Sequence, residues 1–178
     1  MLFTIARAAS IAAACLLGFV AVASAKRVDP TKMTCDEFLS LSESQRPVAA
    51  AFLEGWSKGK KQVDVGEVGL DRDVTTLVVS CKETPKESLW RRFEKHVPVL
   101  KNHVKPIQMK CEDFVGLESD VQPELFYYLA GYDRAKRTKT DVAGEVDLEQ
   151  DYQAFVQVCK QAPKESFWEK LKAHFAKK

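Results

Sequence analysis

The sequence predicts an all-α fold made of two tandem four-helix modules, each closed by one disulfide, which follow a helical signal peptide. Three observations support this prediction: an apolar N-terminal segment, a repeat with an offset of 76 positions (Cys35 to Cys111), and four cysteines that the repeat sorts into pairs. With 46% apolar and 29% charged residues, the composition is that of a globular protein. The 27 basic and 25 acidic side chains nearly balance, so we expect no nucleic acid partner.

Residues 1–25 have the features of a secretory signal peptide. They contain one charged residue, Arg7, and an apolar stretch over residues 11–22 that is followed by small residues at positions 23–25. The stretch is shorter than the roughly 20 apolar residues of a lasting membrane anchor. We therefore expect export, cleavage after Ala25 with loss of Cys15, and no stable membrane anchor afterwards.

The rest of the chain contains the same module twice. Residues 33–38 (MTCDEF) align with 109–114 (MKCEDF), and residues 81–90 (CKETPKESLW) align with 159–168 (CKQAPKESFW). Two single-residue insertions in the second copy raise the offset from 76 to 78, and we expect them in a surface loop. The predicted organisation is a signal peptide over residues 1–25, an N-terminal arm over 26–32, module 1 over 33–97, a linker over 98–108, and module 2 over 109–178.

Four cysteines remain after the signal peptide, and in an exported protein an even number indicates disulfides. Four cysteines allow three pairings, which spacing alone does not rank. The repeat favours Cys35 with Cys81 and Cys111 with Cys159, because each module then contains one complete bridge. A module of this size has a marginal core, and a bridge across such a loop is worth on the order of 4 kcal/mol in the chain-entropy model.

The first two helices of each module show start signals and apolar faces. Thr34 and Glu37 have the spacing of a capping box, which predicts a short first helix. A second helix is predicted over about residues 44–58, with apolar residues at spacings of three and four. This face comprises Val48, Phe52 and Gly55 or Trp56 in the first copy and Leu125, Tyr128, Leu129 and Tyr132 in the second.

The third and fourth helices show the same repetition. The third is predicted to start near Asp71 or Asp147, and its stripe turns a cysteine inward. The fourth is predicted to open at Thr84, Pro85 and Glu87, with an N-cap, a first-turn proline and an acid three residues after the cap. The stripes of the third helix are Val74, Leu77, Val78 and Cys81, and Tyr152, Phe155, Val156 and Cys159; the fourth buries Trp90, Phe93 and Val97, or Trp168, Leu171 and Phe175.

Together these motifs resemble the HdeA/HdeB family of periplasmic acid-stress chaperones. In order, they are a cysteine followed by an acid and a nearby Phe, a Pro that opens the second helix, an Asp-Val loop before a glycine, and a second cysteine followed by Pro-Lys-x-Ser-x-Trp. The resemblance implies a periplasmic four-helix fold whose members become chaperones when acid loosens them. Its well-known members have a single module, from which this tandem chain departs. Two arrangements stay open: the modules pack on each other as an internal pseudo-dimer, or they form two independent units.

Acid would change the charge of this chain strongly. At about pH 2 most carboxylates are protonated, and the chain without its signal peptide would carry about +29, a self-repulsion that opposes compactness. We expect partial unfolding that exposes apolar stripes to acid-denatured periplasmic client proteins. The acid-sensing candidates are Asp36, Glu37, Asp71, Glu87, Glu112, Asp147 and Glu165, and the client-binding candidates are Val74, Leu77, Val78, Tyr152, Phe155 and Val156.

Other chemistries find little support in the sequence. His96 and His174 occupy equivalent places near helix ends and His103 lies in the linker, so we expect neither a metal site nor a cofactor. No G-x-S-x-G, P-loop or dinucleotide motif occurs, and we expect no enzymatic activity. The alternative to a chaperone is a non-catalytic periplasmic binding or scaffold protein without acid activation. Two basic loops are predicted, one at Lys58, Lys60 and Lys61 and one at Arg134, Lys136 and Arg137. We expect both loops to be solvated, and contact with anions or the cell envelope is the alternative.

Overall fold

The computed structural model describes residues 27–96, 102–140 and 143–176. The predicted signal peptide and its cleavage point, and Val97 at the predicted end of the fourth helix, lie outside these ranges. The described part is helical with a few very short strands, and the predicted all-α fold with two disulfide-closed units is confirmed. None of the described helices is both long and apolar enough to cross a membrane.

Eight α-helices are present in the described ranges, four on each side of residues 97–101. We call residues 33–96 the first half and residues 109–176 the second half. The first half contains α1 (Cys35–Ser40), α2 (Gln45–Lys60), α3 (Thr75–Glu83) and α4 (Leu89–Lys95). The second half contains α5 (Cys111–Val115), α6 (Val121–Arg137), α7 (Gln150–Gln161) and α8 (Phe167–Phe175).

One disulfide joins the first and third helices of each half, in the pairing that the repeat predicts. Cys35 bonds to Cys81, with their Cα atoms 4.9 Å apart, and Cys111 bonds to Cys159, with their Cα atoms 4.8 Å apart. All four side chains are fully buried, because the apolar stripe of each third helix faces the core. Each half is therefore fastened internally by one bridge.

The fourth helix starts later than the sequence predicts. It begins at Leu89, not near Thr84, and α8 likewise begins at Phe167. Thr84 instead ends α3, and the carbonyls of Pro85 and Glu87 accept hydrogen bonds from the first-turn amides of α1, at 2.8 and 2.9 Å. The turn after the second cysteine thus satisfies the start of the first helix, whose amides have no partners within their own helix.

The third helices also start later than predicted. Helix α3 begins at Thr75, four residues after Asp71, whose φ of 55° is incompatible with an α-helix. Helix α7 begins at Gln150, three residues after Asp147. The strands β2 (Val68–Leu70) and β4 (Val146–Asp147) stand at these predicted starts, and their ladders hold the chain extended before each helix.

The described parts of the segments predicted as a loose arm and as a linker, residues 27–32 and 102–108, are ordered, and each pairs with the opposite half. Strand β1 (Arg27–Val28) lies antiparallel to β4 of the second half, whereas β3 (Asn102–Val104), which leads into the second half, lies antiparallel to β2 of the first. A 3-10 helix, Pro106–Gln108, follows β3. Ladder hydrogen bonds and side-chain contacts order these segments despite their lack of helical periodicity.

The two halves meet mainly through α2 and α6, and glycines set how close these helices approach. A β-carbon on Gly55 would stand 1.8 Å from the carbonyl oxygen of Tyr128, and one on Gly131 would stand 2.2 Å from that of Phe52. Gly55 and Gly131 are equivalent in the repeat, as are Phe52 and Tyr128. The contact is therefore reciprocal, with each helix placing a glycine against the backbone of the other.

Candidate functional site

The predicted client-binding stripes lie in two separate cores. In the first half, Leu77 of α3 is buried, while Val78 of α3 and Val74, the N-cap residue of that helix, are partly buried against the core. On α7, the three predicted residues, Tyr152, Phe155 and Val156, are all buried. Helix α3 packs on α1 and α4, and α7 packs on α5 and α8, so the two stripes do not form one surface in this state.

The core of the second half is a cluster of aromatic rings that includes Phe155. Its ring centroid lies 5.4 Å from that of Phe126 and 5.7 Å from those of Phe114 and Phe167. His174 joins this cluster, with its ring centroid 5.4 Å from that of Phe155. The sequence placed His174 near a helix end, where a cation interacts with the dipole; the structure adds an aromatic environment.

The equivalent histidine of the first half has a different setting. His96 ends α4 as its C-cap residue, and its backbone amide donates to the carbonyls of Arg92 and Phe93. His103, predicted in the linker, lies in β3 with an exposed side chain. Within the described ranges, no group of three or more His, Cys, Asp or Glu side chains is arranged to hold a metal ion.

The predicted acid-sensing residues are dispersed over both halves and make several kinds of contact. Glu37 accepts from the amide of Thr34 at 2.9 Å and completes the predicted capping box. Asp147 accepts from the amides of Glu149 and Gln150 at the start of α7, at 3.0 and 2.8 Å. Asp36 and Glu112 lie in first helical turns, Glu87 and Glu165 pair with Arg92 and Lys170, and Asp71 lies outside any helix.

A buried charge cluster, absent from the sequence predictions, spans the contact between the halves. We define it as Glu54 of α2, Arg72 of the loop before α3, and Glu124 of α6. The guanidinium of Arg72 donates to Glu54 and to Glu124, with both nitrogen to oxygen distances 2.9 Å, and its side chain is fully buried. The backbone amide of Arg72 also donates to Glu124, at 3.2 Å.

Burial dominates the electrostatics of this cluster. It raises the pKa of Glu124, and the favourable charge and hydrogen bonds of Arg72 only partly oppose that effect. The guanidinium also lies 5.6 Å from the ring centroid of Tyr128, whose own pKa is raised by burial. One sequence signal was available: Glu124 precedes Tyr128 by four residues, which places its carboxyl on the apolar face of α6.

The two basic clusters predicted as loops lie at the ends of α2 and α6, where cations favour the helix dipole. Two of their lysines occupy equivalent positions over aromatic rings: the amine of Lys60 is 5.1 Å from the Trp56 ring centroid, and that of Lys136 is 5.1 Å from the Tyr132 ring centroid. Arg134 donates to three carbonyls of residues 143–145, and burial lowers its pKa. Several of these basic side chains therefore make contacts that stabilise the fold.

These features define a class of protein: small helical units, each closed by a disulfide between its first and third helices, present twice in one chain. The family model for the HdeA/HdeB family matches residues 6–91 and 97–169, and the chain belongs to this family. Two matching stretches agree with the tandem arrangement found in the sequence.

Several curated relatives are similar to part of the chain. Proteins named "Probable acid stress chaperone HdeA" from Brucella ovis, Brucella canis and Brucella melitensis are each 36% identical to it over 74 residues. The aligned stretch covers 41% of this chain and 64% of each relative. The chain thus spans just under two thirds of the length of these relatives. No solved structure matches the chain significantly.

Proposed function

We propose that the protein is a periplasmic, ATP-independent chaperone that holds unfolding envelope proteins in acid. Family membership and the name of the Brucella relatives support this proposal. The observation that carries it is that the apolar stripe of α7 is buried, and that of α3 partly buried, within disulfide-closed halves. Such stripes can be exposed by loosening while the disulfides, which survive acid, prevent the chain from separating completely.

The charge balance supplies a physical reason for loosening. Near neutral pH the basic and acidic side chains almost cancel, whereas protonation of the carboxylates leaves the chain strongly cationic. The resulting repulsion acts on halves whose cores are small. Protonation also removes the ion pair between Glu87 and Arg92 and the one between Glu165 and Lys170.

We further propose that the two halves act as an internal pseudo-dimer. The reciprocal glycine contacts of α2 and α6 and the exchange of arms between the halves support this arrangement. A short connection gives the halves a mutual effective concentration in the mM range, so they can re-pair after acid separates them. Export directed by residues 1–25 would bring the chain to the periplasm, where its client proteins are. The proposed activity is not enzymatic and needs no cofactor.

The proposal is tested by light scattering with the exported, disulfide-bonded chain and periplasmic client proteins at about pH 2 to 3. We expect suppressed aggregation in acid, none at pH 7, and loss of near-UV circular dichroism over the same pH range. A chain that keeps its native near-UV signal in acid and leaves aggregation unchanged would be the alternative, a periplasmic binding or scaffold protein without acid activation.

Two adjacent residues of α3 offer a matched pair for the client surface. Val78 belongs to the predicted stripe and is partly buried, whereas Val79 faces solvent with 52% of its surface exposed. We expect Val78→Ser to weaken client holding in acid and Val79→Ser to leave it unchanged. Equal activity of both variants would remove this stripe from the client-binding surface.

A further inference from the structure

The charge cluster of Glu54, Arg72 and Glu124 has no counterpart on the other side of the reciprocal contact. In the repeat, the equivalents of Glu54 and Glu124 are Ala130 and Val48, and the equivalent of Arg72 is Gln150. Both Ala130 and Val48 are buried, so the equivalent surface of the opposite side contains no carboxylate in place of these two. The contact between the halves is therefore reciprocal in its backbone but one-sided in its charges.

We propose that the charge cluster makes the contact selective for unlike halves, so that the chain pairs within itself and not with like halves of other copies. The selectivity follows from what each half contributes: the first half provides the buried Arg72, and the second provides Glu124. Only a contact between a first and a second half brings these two groups together.

Pairing of like halves would leave buried charges without this partner. Two second halves meeting in the same geometry would bury each Glu124 with no guanidinium to neutralise its carboxylate, because the repeat has Gln150, an exposed residue at the start of α7, in place of Arg72. Two first halves would place each Arg72 near Val48, so that it would retain only Glu54 of its own half. A buried charge that loses its partner is strongly unfavourable, and such penalties are a common source of binding specificity.

Selectivity matters here because the chain contains two pairing surfaces. If first halves paired with first halves, each chain would still offer its second half to another copy. Alternating contacts between like halves would link each chain to other copies, and such chains of contacts can grow into larger assemblies unless they close into a ring. Pairing of unlike halves within one chain uses both surfaces at once, and the short connection further favours it.

The test replaces the cluster with the residues that the repeat has at the equivalent positions: Glu54→Ala, Arg72→Gln and Glu124→Val in one chain. We expect the exported wild-type chain to sediment as a monomer over a wide concentration range at pH 7, and the triple variant to form dimers and larger species as its concentration approaches the mM effective concentration of the tethered halves. The matched control is Glu87→Gln with Arg92→Gln, which removes an ion pair within the first half and should stay monomeric.

A folded triple variant that remains monomeric at every concentration would overturn the proposal, as would a wild-type chain that itself oligomerises with concentration. If the triple variant loses its helical circular dichroism, Glu124→Gln decides instead, because it keeps the shape of the side chain and removes the charge. Concentration-dependent oligomers of that variant support selectivity, and monomers refute it. The test uses neither acid nor clients, so it can fail independently of the proposed chaperone activity.

Discussion

Gly55 lies where α2 and α6 are closest, and this position predicts an unusual effect of alanine. In an isolated helix Gly→Ala stabilises by about 1 kcal/mol. Here the added β-carbon would meet the carbonyl oxygen of Tyr128 at 1.8 Å and force the helices apart. We expect Gly55→Ala to lower the free energy of unfolding, measured with urea at pH 7, by about 1–3 kcal/mol or more. This is the usual range for overpacking.

Gly66 provides the control for this substitution, since it belongs to a loop and a β-carbon added there would meet no other atom within 4 Å. Gly66→Ala should leave the urea midpoint nearly unchanged. If Gly55→Ala proved as stable as the wild type, the close approach of the two helices would not be needed for stability.

Arg72 predicts a stability loss that depends on pH. Arg72→Met removes the cation between two carboxylates, and loss of one partner from a buried pair costs about 3–5 kcal/mol. Burial already raises the pKa of Glu124, and without the guanidinium that pKa rises further. A carboxyl whose folded pKa exceeds its unfolded value stabilises the fold below the unfolded pKa, and this contribution is lost as pH rises through the folded pKa.

The deficit of Arg72→Met should therefore be largest near pH 7 and should shrink as the solution is acidified and Glu124 takes up a proton. Urea unfolding at a series of pH values measures it. Arg92→Met, which breaks a partly exposed pair with Glu87, should cost only about 0–1 kcal/mol. A deficit for Arg72→Met that stayed constant with pH would contradict the role given to Glu124.

The same sign applies to the wild-type chain. Because its folded pKa is raised, Glu124 by itself favours the folded state in acid and does not drive opening. Acid loosening, as proposed, must therefore come from other sources, which are the accumulated positive charge and the loss of other ion pairs. The charge cluster that holds the halves together is therefore distinct from the groups that respond to acid. The acid-sensing candidates predicted from the sequence, which lie mainly at helix starts, gave no indication of this distinction.

At the scale of elements, the sequence predicts what local periodicity determines and misses what depends on distant partners. The stripe ending at Cys81 and the capping box of Thr34 both appear where they were predicted. The predicted start of the fourth helix at residues 84–88 is wrong because its capping signals are local. The backbone carbonyls of this turn instead accept hydrogen bonds from the first amides of α1, about 50 residues earlier. Local propensity is a weak guide where tertiary hydrogen bonds compete with it.

The arms were missed for a related reason, although a signal existed. Val28 and Pro30 align with Val104 and Pro106 at the offset of 76, so the repeat extends upstream of residue 33. Strands of two or three residues are too short to show periodicity, and their ladder partners lie in the opposite half. Only the repeat, extended to its full length, could have indicated that both arms contain a short strand.

The first arm offers a test at this scale. The carboxylate of Asp29 accepts from the amide of Gly144 at 3.1 Å, and the hydroxyl of Thr31 accepts from the amide of Ala143 at 3.2 Å. We expect Asp29→Ala with Thr31→Val to speed hydrogen exchange at both amides while global stability changes little, because arms open locally. Lys32→Ala, which changes an exposed side chain of the same arm, should leave both exchange rates unchanged. Slow exchange in the double variant would show that other contacts hold the arm.

At the scale of the whole molecule, contact between the two halves was one of two arrangements that the tandem repeat left open, whereas the charge cluster at this contact was not predicted. Arg72 lies between Asp71 and Asp73 in a stretch that reads as a solvated loop, and its partners are 18 and 52 residues away in sequence. Aligning the two copies of the repeat matches equivalent residues, so it predicts the features that the two halves have in common. The cluster is a difference between them, so it becomes apparent only when the halves are seen in contact.

Screening of charge separates the two explanations of acid loosening at this scale. If repulsion among about 29 positive charges opens the chain at pH 2, added salt should close it again, because the screening length falls from about 10 Å at 0.1 M to about 3 Å at 1 M. If opening reflects the loss of particular ion pairs, salt should not restore them, since their carboxylates remain protonated. We expect near-UV circular dichroism at pH 2 to regain its native form between 0.1 and 1 M sodium chloride, as judged against the spectrum at pH 7 in the same salt. An acid spectrum that salt leaves unchanged would assign the loosening to specific carboxylates, and Glu37 and Asp147, which accept backbone hydrogen bonds at helix starts, would be the first to replace.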